Sequence, residues 1–186
     1  MGSMTNGNII LCGFMGCGKT SVGRRAAKLM GRKFCDLDQY IEEREGMTVK
    51  EIFAQFGEAG FREREAQAVR EVAARRGLVV ASGGGTVLRA ENVEAFHRGG
   101  GVVVYLDAPL AALQERLKRD KRRPLLQVPD RRRVIAQLHA QRGPLYQGAA
   151  DLTVDAGAPP LAVAKRVAAA CRTWKAAGSE QEKAKA

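Results

Sequence analysis

Five strand-like runs punctuate the chain, and segments with apolar residues three or four positions apart lie between them. The runs are Ile9-Ile10-Leu11-Cys12, Lys33-Phe34-Cys35-Asp36, Leu78-Val79-Val80-Ala81-Ser82, Val102-Val103-Val104-Tyr105-Leu106 and Asp151-Leu152-Thr153-Val154. The third is continuously apolar, as expected of a central parallel strand buried on both faces. Helical periodicity follows the first run, where Val22, Ala26 and Met30 share a face, and a helical stretch covers Gln39 to Glu45. Thr48-Val49-Lys50-Glu51 reads as a capping box, with Ile52, Phe53 and Phe56 as the buried face of a short helix that Gly57 ends. A longer helix opens at Phe61 and continues through Ala66, Val69, Val72 and Ala73.

Further helices are predicted over Ala90 to His97 and from Pro109, where Leu110, Leu113 and Leu117 form the inner stripe. Another runs from a cap at Asp130 to about Arg142, where Gly143-Pro144 stops it, with Val134, Ile135 and Leu138 facing inward. The last follows Pro159-Pro160, with Leu161, Ala164, Val167, Cys171 and Trp174 on one face. Alternating strands and helices predict an α/β protein, a three-layer α/β/α sandwich on a central five-stranded parallel sheet. Residues 5–175 are expected to form a single domain. The polar, proline-punctuated connection over about 118–130 is expected to be a mobile lid, and the aperiodic tail 176–186 to be disordered. Met1-Gly2-Ser3-Met4 reads as a cloning remnant ahead of a native start.

Composition narrows the partners. The net charge is +11, and the stretch from Arg116 to Arg133 alone holds nine basic residues against two acidic ones, Asp120 and Asp130. No RNA-reading motif or aromatic platform lies beside it, so anionic small molecules explain the charge better than a specific nucleic acid. No apolar run reaches the roughly 20 residues of a membrane span, and a soluble cytoplasmic monomer is expected. Cys12, Cys17, Cys35 and Cys171 form no C-x-x-C pair and have no metal-ligand spacing with His97 or His139, so reduced thiols are expected. His97 reads as a helix-end residue.

The strongest chemical signal is Gly13-Phe14-Met15-Gly16-Cys17-Gly18-Lys19-Thr20, which fits G-x-x-x-x-G-K-[ST] between a predicted strand and a predicted helix. Such a loop turns successive backbone N–H groups toward one point, at the positive end of the following helix. Lys19 adds a charge for the outer phosphates, and the Thr20 hydroxyl suits the Mg²⁺ that accompanies a nucleoside triphosphate. The motif says nothing of the phosphate acceptor.

Three other features carry candidate chemistry, and the first lies at the carboxyl end of the second strand, where open parallel sheets place their ligand crevice. Asp36-Leu37-Asp38 offers one carboxylate to a metal and one to an acceptor hydroxyl, or Asp38 caps the following helix. Arg62 and Glu65 are spaced i,i+3, either as a surface ion pair or as a carboxylate that orients a guanidinium. Gly83-Gly84-Gly85 at the end of the third strand is either a tight turn or a site of close ligand approach. Ser82 stands where nucleotide-hydrolysing proteins commonly carry an acidic metal ligand, which shifts attention to Asp36.

Taken in order, G-F-M-G-C-G-K-T (Gly13 to Thr20), F-C-D-L-D (Phe34 to Asp38), F-R-E-R-E (Phe61 to Glu65), G-G-G (Gly83 to Gly85), R-P-L-L (Arg123 to Leu126) and R-G-P-L-Y (Arg142 to Tyr146) resemble the shikimate kinase family, through Pro160. The resemblance implies a P-loop kinase core and ATP-dependent phosphorylation of the 3-hydroxyl of shikimate, in aromatic amino-acid biosynthesis. It implies catalytic roles for Lys19, Asp38 and Arg123, the last delivered by the lid. ATP would meet Gly13, Gly16, Cys17, Gly18, Lys19, Thr20, Ser21, Arg116, Arg123 and Pro160. Shikimate would meet Asp38, Arg62, Gly83, Gly84, Gly85 and Arg142, with Glu65 orienting Arg62. Thr20 and Asp36 would hold Mg²⁺. Two rivals share the core: a kinase for another small hydroxy acid such as gluconate, and a non-catalytic ligand-sensing module. The second is expected to have lost Lys19, Asp38 or Arg123, and all three are present.

Overall fold

The computed structural model describes residues 6–121 and 126–183. The proposed remnant at residues 1–4 and Arg123 lie outside the described residues. The elements run β1 (Ile9–Cys12), α1 (Lys19–Leu29), β2 (Lys33–Asp36), α2 (Leu37–Glu45), α3 (Val49–Ala73), β3 (Leu78–Ala81), α4 (Ala90–Arg98), β4 (Val102–Asp107), α5 (Leu110–Leu117), α6 (Arg131–Ala149), β5 (Leu152–Asp155) and α7 (Pro160–Lys183). The five strands form one parallel sheet in the order β2-β3-β1-β4-β5. β1 and β3 are buried along their whole length, as strands covered on both faces must be. Because β1 sits between β3 and β4 and the chain moves away on either side, the crevice at its carboxyl end is the expected ligand site.

Buried polar groups fix the layers. Asn8 donates to the Val72 and Arg75 carbonyls at 2.9 and 3.0 Å and accepts from the Leu78 amide at 3.0 Å. One side chain thus satisfies carbonyls at the end of α3 and sets the start of β3. On the other side of the sheet α1 packs against α7. The capping box is present, with the Glu51 amide donating to Thr48 Oγ1 at 3.2 Å and the Thr48 amide donating to Glu51 Oε2 at 2.7 Å. The two predicted helices after Thr48 follow one another directly within α3 and meet at a kink at Gly57, where φ is +67° and the backbone leaves the helical region, so the first ends where the sequence places its end.

Local pattern misplaced several details. The cap of α2 is Asp36, whose Oδ1 accepts from the Gln39 amide at 3.4 Å, and Asp38 lies in the first turn. The helix starts directly after β2, so the cap position falls two residues earlier than the alternative reading of Asp38. Phe53 and Phe56 are exposed rather than buried, because the segment before Gly57 lies on the rim and only Ile52 reaches the core. Phe53 stacks on Phe61 and the Arg64 guanidinium covers Phe56. The inner face of α7 is Val163, Ala164, Val167, Ala168 and Cys171, with Leu161 and Trp174 exposed.

α6 does not stop at Gly143-Pro144 but continues to Ala149, which places Arg142 inside the helix. Pro144 removes one helical donor. The turn beyond it is held by Tyr146, which is buried, stacked on Tyr105 and hydrogen-bonded to the Gly84 carbonyl. α7 likewise continues to Lys183, past the start of the proposed tail at Ala176. Alanine, glutamate, glutamine and lysine there propagate a helix already nucleated by packing.

Candidate active site

The turn between β1 and α1 is closed by the Cys17 amide donating to the Phe14 carbonyl at 3.1 Å. Gly18 caps α1 with φ +100°, a conformation that lets the loop amides converge before the helix begins. The first turn of α1 carries no acidic residue of its own. The Lys19 ammonium lies over the loop, donating to the Gly13 and Phe14 carbonyls at 2.7 and 3.2 Å, and is 3.8 Å from Cys17 Sγ. Thr20 Oγ1 donates to Asp36 Oδ2 at 2.9 Å across the crevice. These two hard oxygens fit Mg²⁺, which keeps most of its octahedron as water and phosphate oxygen and needs few protein ligands. No cluster of three or more His, Cys, Asp or Glu that could hold a metal exists among the described residues.

Across from the loop, the triple-glycine turn is the meeting point of four elements. A Cβ on Gly83 would lie 3.1 Å from Asp38 Oδ1, 3.2 Å from Glu65 Oε1 and 3.0 Å from Thr86 Oγ1. One on Gly85 would lie 2.5 Å from the Arg62 guanidinium. Gly83 and Gly85 are therefore needed for the close packing of the protein's own side chains around the turn, whereas a Cβ on Gly84 would meet only Tyr146 Oη at 3.9 Å. Glu65 is completely buried, accepting from Arg62 Nη1 at 2.8 Å and from Thr86 Oγ1 at 2.7 Å. The Arg62–Glu65 pair is thus an internal, hydrogen-bonded device and not a surface contact. Glu58 lies 3.6 Å from the other side of the same guanidinium.

Asp38 lies half-buried in this cluster with its pKa pushed up to about 6. Burial is the main cause, the Asp36 and Glu65 carboxylates add to it, and the Lys19 ammonium opposes it. Arg142 approaches from α6 beside the Tyr146 phenol, whose pKa burial raises to about 12 against the opposing guanidinium. Tyr146 Oη donates to the Gly84 carbonyl, so both arginines converge on one turn: Arg62 over Gly85, and Arg142 beside the phenol bonded to Gly84. Tyr146 and Thr86 had no role assigned from sequence. The signal for Tyr146 was its i,i+4 spacing from Arg142, while Thr86 gave none.

A third region lies on the outer side of the phosphate loop. Gly16, Cys17, Gly18, Ser21, Arg116 and Pro160 line a cavity of about 220 Å³. Arg116 donates to the Gly16 and Cys17 carbonyls at 3.2 and 3.5 Å and to the Ala156 carbonyl at 3.0 Å, bridging the loop to the segment before α7. Cys17 is buried within the loop, and burial pushes the Cys12 thiol beneath it up to about 12. His97 is remote from these groups, paired at 2.9 Å with Asp151, which also accepts from the Val103 amide at 2.8 Å. Its reading as a helix-end residue agrees with this. Ser82 donates to the Leu11 carbonyl at 2.9 Å and so ties β3 to β1.

A phosphate loop at the carboxyl end of β1, a carboxylate opposite it and two guanidinium groups at the triple-glycine turn are the arrangement of a P-loop kinase acting on a small anionic molecule. The shikimate kinase family model matches residues 15–172. The chain belongs to the shikimate kinase family. It is 47% identical over 154 residues to a shikimate kinase of Bordetella pertussis, covering 83% of this chain and 72% of that one. It is 46% identical over 159 residues to one of Ralstonia nicotianae, with 86% and 83% covered. A solved shikimate kinase of Acinetobacter baumannii in complex with shikimate superposes with a TM-score of 0.79 at 40% identity, covering 89% of this chain and 92% of that chain. A gluconokinase of Sinorhizobium meliloti has a TM-score of 0.63 at 18% identity, a likeness of fold alone.

Proposed function

We propose that this chain transfers the terminal phosphoryl group of ATP to the 3-hydroxyl of shikimate, giving shikimate 3-phosphate and ADP. The observation that carries the reading is the pairing of Lys19 on the phosphate loop with Asp38, a carboxylate raised to about 6, across one crevice. Relatives named shikimate kinase and a neighbour bound to shikimate support the choice of acceptor.

The α1 amides and Lys19 bind and align the phosphates, while Arg116 and Pro160 enclose the adenine in the outer cavity. Thr20 and Asp36 would hold Mg²⁺, which when bound with ATP neutralises charge on the phosphates. Arg62, kept in place by Glu65, and Arg142, kept beside Tyr146, bind the planar carboxylate of shikimate as two forks. Gly83 to Gly85 leave room for the ring hydroxyls against the backbone. Asp38 accepts a hydrogen bond from the acceptor hydroxyl, orients it in line and takes its proton as the new bond forms. Arg123, from the lid between α5 and α6, meets the transferring group and helps exclude water. No helix among the described residues is long and apolar enough to cross a membrane, and we place the enzyme in the cytoplasm as a monomer.

ADP release measured with shikimate, quinate and gluconate in turn tests the reading. Turnover with shikimate is expected. Activity confined to gluconate overturns the choice of acceptor, and none with any of the three overturns the kinase assignment.

A further inference from the structure

Thr86 and Asn92 are buried polar residues behind the triple-glycine turn, and neither meets the nucleotide or the acceptor in the function proposed above. Asn92 Nδ2 donates to the Thr86 carbonyl at 2.9 Å, and the Thr86 amide donates to the Gly83 carbonyl at 3.3 Å, so the backbone of Thr86 is held from both ends. Its hydroxyl donates to Glu65 Oε1 at 2.7 Å. A hydroxyl has one hydrogen to give, and here Glu65 receives it, although Asp38 Oδ1 stands at the same glycine, Gly83.

The terminal torsion of a glutamate is soft, and a single partner does not fix the plane of its carboxylate. Glu65 is fixed because each oxygen has its own donor, Arg62 Nη1 on Oε2 at 2.8 Å and Thr86 on Oε1. Arg62 stands between two carboxylates, since the exposed Glu58 lies 3.6 Å from its Nη2. Arg89 Nη1 donates to the Arg62 carbonyl at 3.0 Å, which ties the backbone and leaves the direction of the guanidinium to those two carboxylates. The inward pair with Glu65 is shorter and shielded from water, and with it formed Nη2 lies 2.5 Å from the place of a Cβ on Gly85. Without the Thr86 hydroxyl, Glu65 Oε1 loses its donor in a buried place, and the carboxylate is free to turn away from Arg62.

We infer that Thr86 is a positioning residue for acceptor binding: by fixing the plane of Glu65 it keeps the Arg62 guanidinium turned inward over Gly85 instead of outward to Glu58, and so sets how tightly a carboxylate-bearing acceptor is held. The inference deepens the kinase reading above and rests on it. The loss of the hydroxyl should fall on the KM for shikimate and not on that for ATP.

The test measures the KM for shikimate and for ATP in wild type, Thr86→Val and Thr86→Ser, and again for Thr86→Val in an Arg62→Ala background. Thr86→Val, which keeps the shape and removes the hydroxyl, is expected to raise the shikimate KM by about ten-fold and to leave the ATP KM within about two-fold. Thr86→Ser, which keeps the hydroxyl, should stay within about three-fold of wild type. In the Arg62→Ala background Thr86→Val should add nothing to the shikimate KM, because the residue it acts through is gone. A merely structural role would lower the active fraction, on which KM does not depend. An unchanged shikimate KM in Thr86→Val, a Thr86→Ser as impaired as Thr86→Val, or the same loss in both backgrounds overturns the inference. Should Thr86→Val fail to fold, Thr86→Ala is read by the same criteria. A wild type inactive on shikimate would overturn the kinase reading instead.

Discussion

The carboxylates of Asp38 and Glu65 meet at one glycine: a Cβ on Gly83 would lie 3.1 Å from Asp38 Oδ1 and 3.2 Å from Glu65 Oε1. Glu65 accepts hydrogen bonds from Arg62 and Thr86, so both of its oxygens have partners. Asp38 is left with burial and the like charges of Asp36, Glu65 and Glu42, opposed by Lys19. The same cluster therefore supplies an oriented guanidinium and a carboxylate of raised basicity.

Replacing Asp38 by asparagine should lower kcat by roughly 10²–10⁴-fold while ATP affinity stays nearly intact, because alignment and proton acceptance are lost together. Steady-state kinetics with a direct nucleotide-binding measurement checks this. Near-normal turnover would remove Asp38 from the reaction.

The raised pKa also predicts pH behaviour. Turnover requires ionised Asp38, so kcat/KM should fall as pH drops through about 6, and in Asp38→Asn the residual activity should lose that inflection. Stability moves the opposite way. The folded protein takes up a proton at about 6 and the unfolded chain only near 3.8, so stability from this group rises as pH falls between those values. At pH 8 its ionised form costs on the order of 1–3 kcal/mol. Asp38→Asn should then unfold at a higher temperature than wild type at pH 8, with the advantage gone below about pH 4. Equal melting temperatures at pH 8 would contradict a strained carboxylate.

Gly85→Ala tests the close approach of Arg62. The backbone at Gly85 has φ −109° and accepts alanine without strain, yet the added Cβ would lie 2.5 Å from the guanidinium. The fold should survive while the shikimate KM rises by about ten-fold or more. An unaltered KM would show that Arg62 does not bind the acceptor.

For Arg142, alanine should raise the KM for shikimate more than that for ATP if this side chain, which stands beside Tyr146, grips the acceptor as proposed. Equal changes in both would assign it elsewhere.

Asp36→Asn separates charge from capping. Asparagine still caps α2 through its side-chain oxygen, so stability should change little, but the Mg²⁺ concentration for half-maximal activity should rise several-fold. A titration of activity against Mg²⁺ that leaves this concentration unchanged would exclude Asp36 from the metal site.

Much of this was legible along the chain because it is local. The β1 run, the G-x-x-x-x-G-K-T spacing, the Thr48 capping box and the i,i+3 placement of Arg62 and Glu65 are set within a few residues, where backbone period alone decides which groups are neighbours. The end of α6 was misread for the same reason: Gly143-Pro144 is a local stop signal, and Tyr146, bonded to a residue 62 positions away, overrides it. The bridge from Arg116 to Gly16 spans 100 positions, and the burial of Glu65 against Thr86 spans 21. By itself the sequence determined the strands and helices and the presence of a phosphate loop facing a D-x-D. Only the tertiary structure decided that Asp36 caps α2 while also meeting Thr20, that Asp38 is left as the strained carboxylate, and that both arginines close on the triple-glycine turn. Spacing fixes which residues lie near one another on one element, but desolvation and charge pairing arise where distant elements pack, and those set the chemistry of the site.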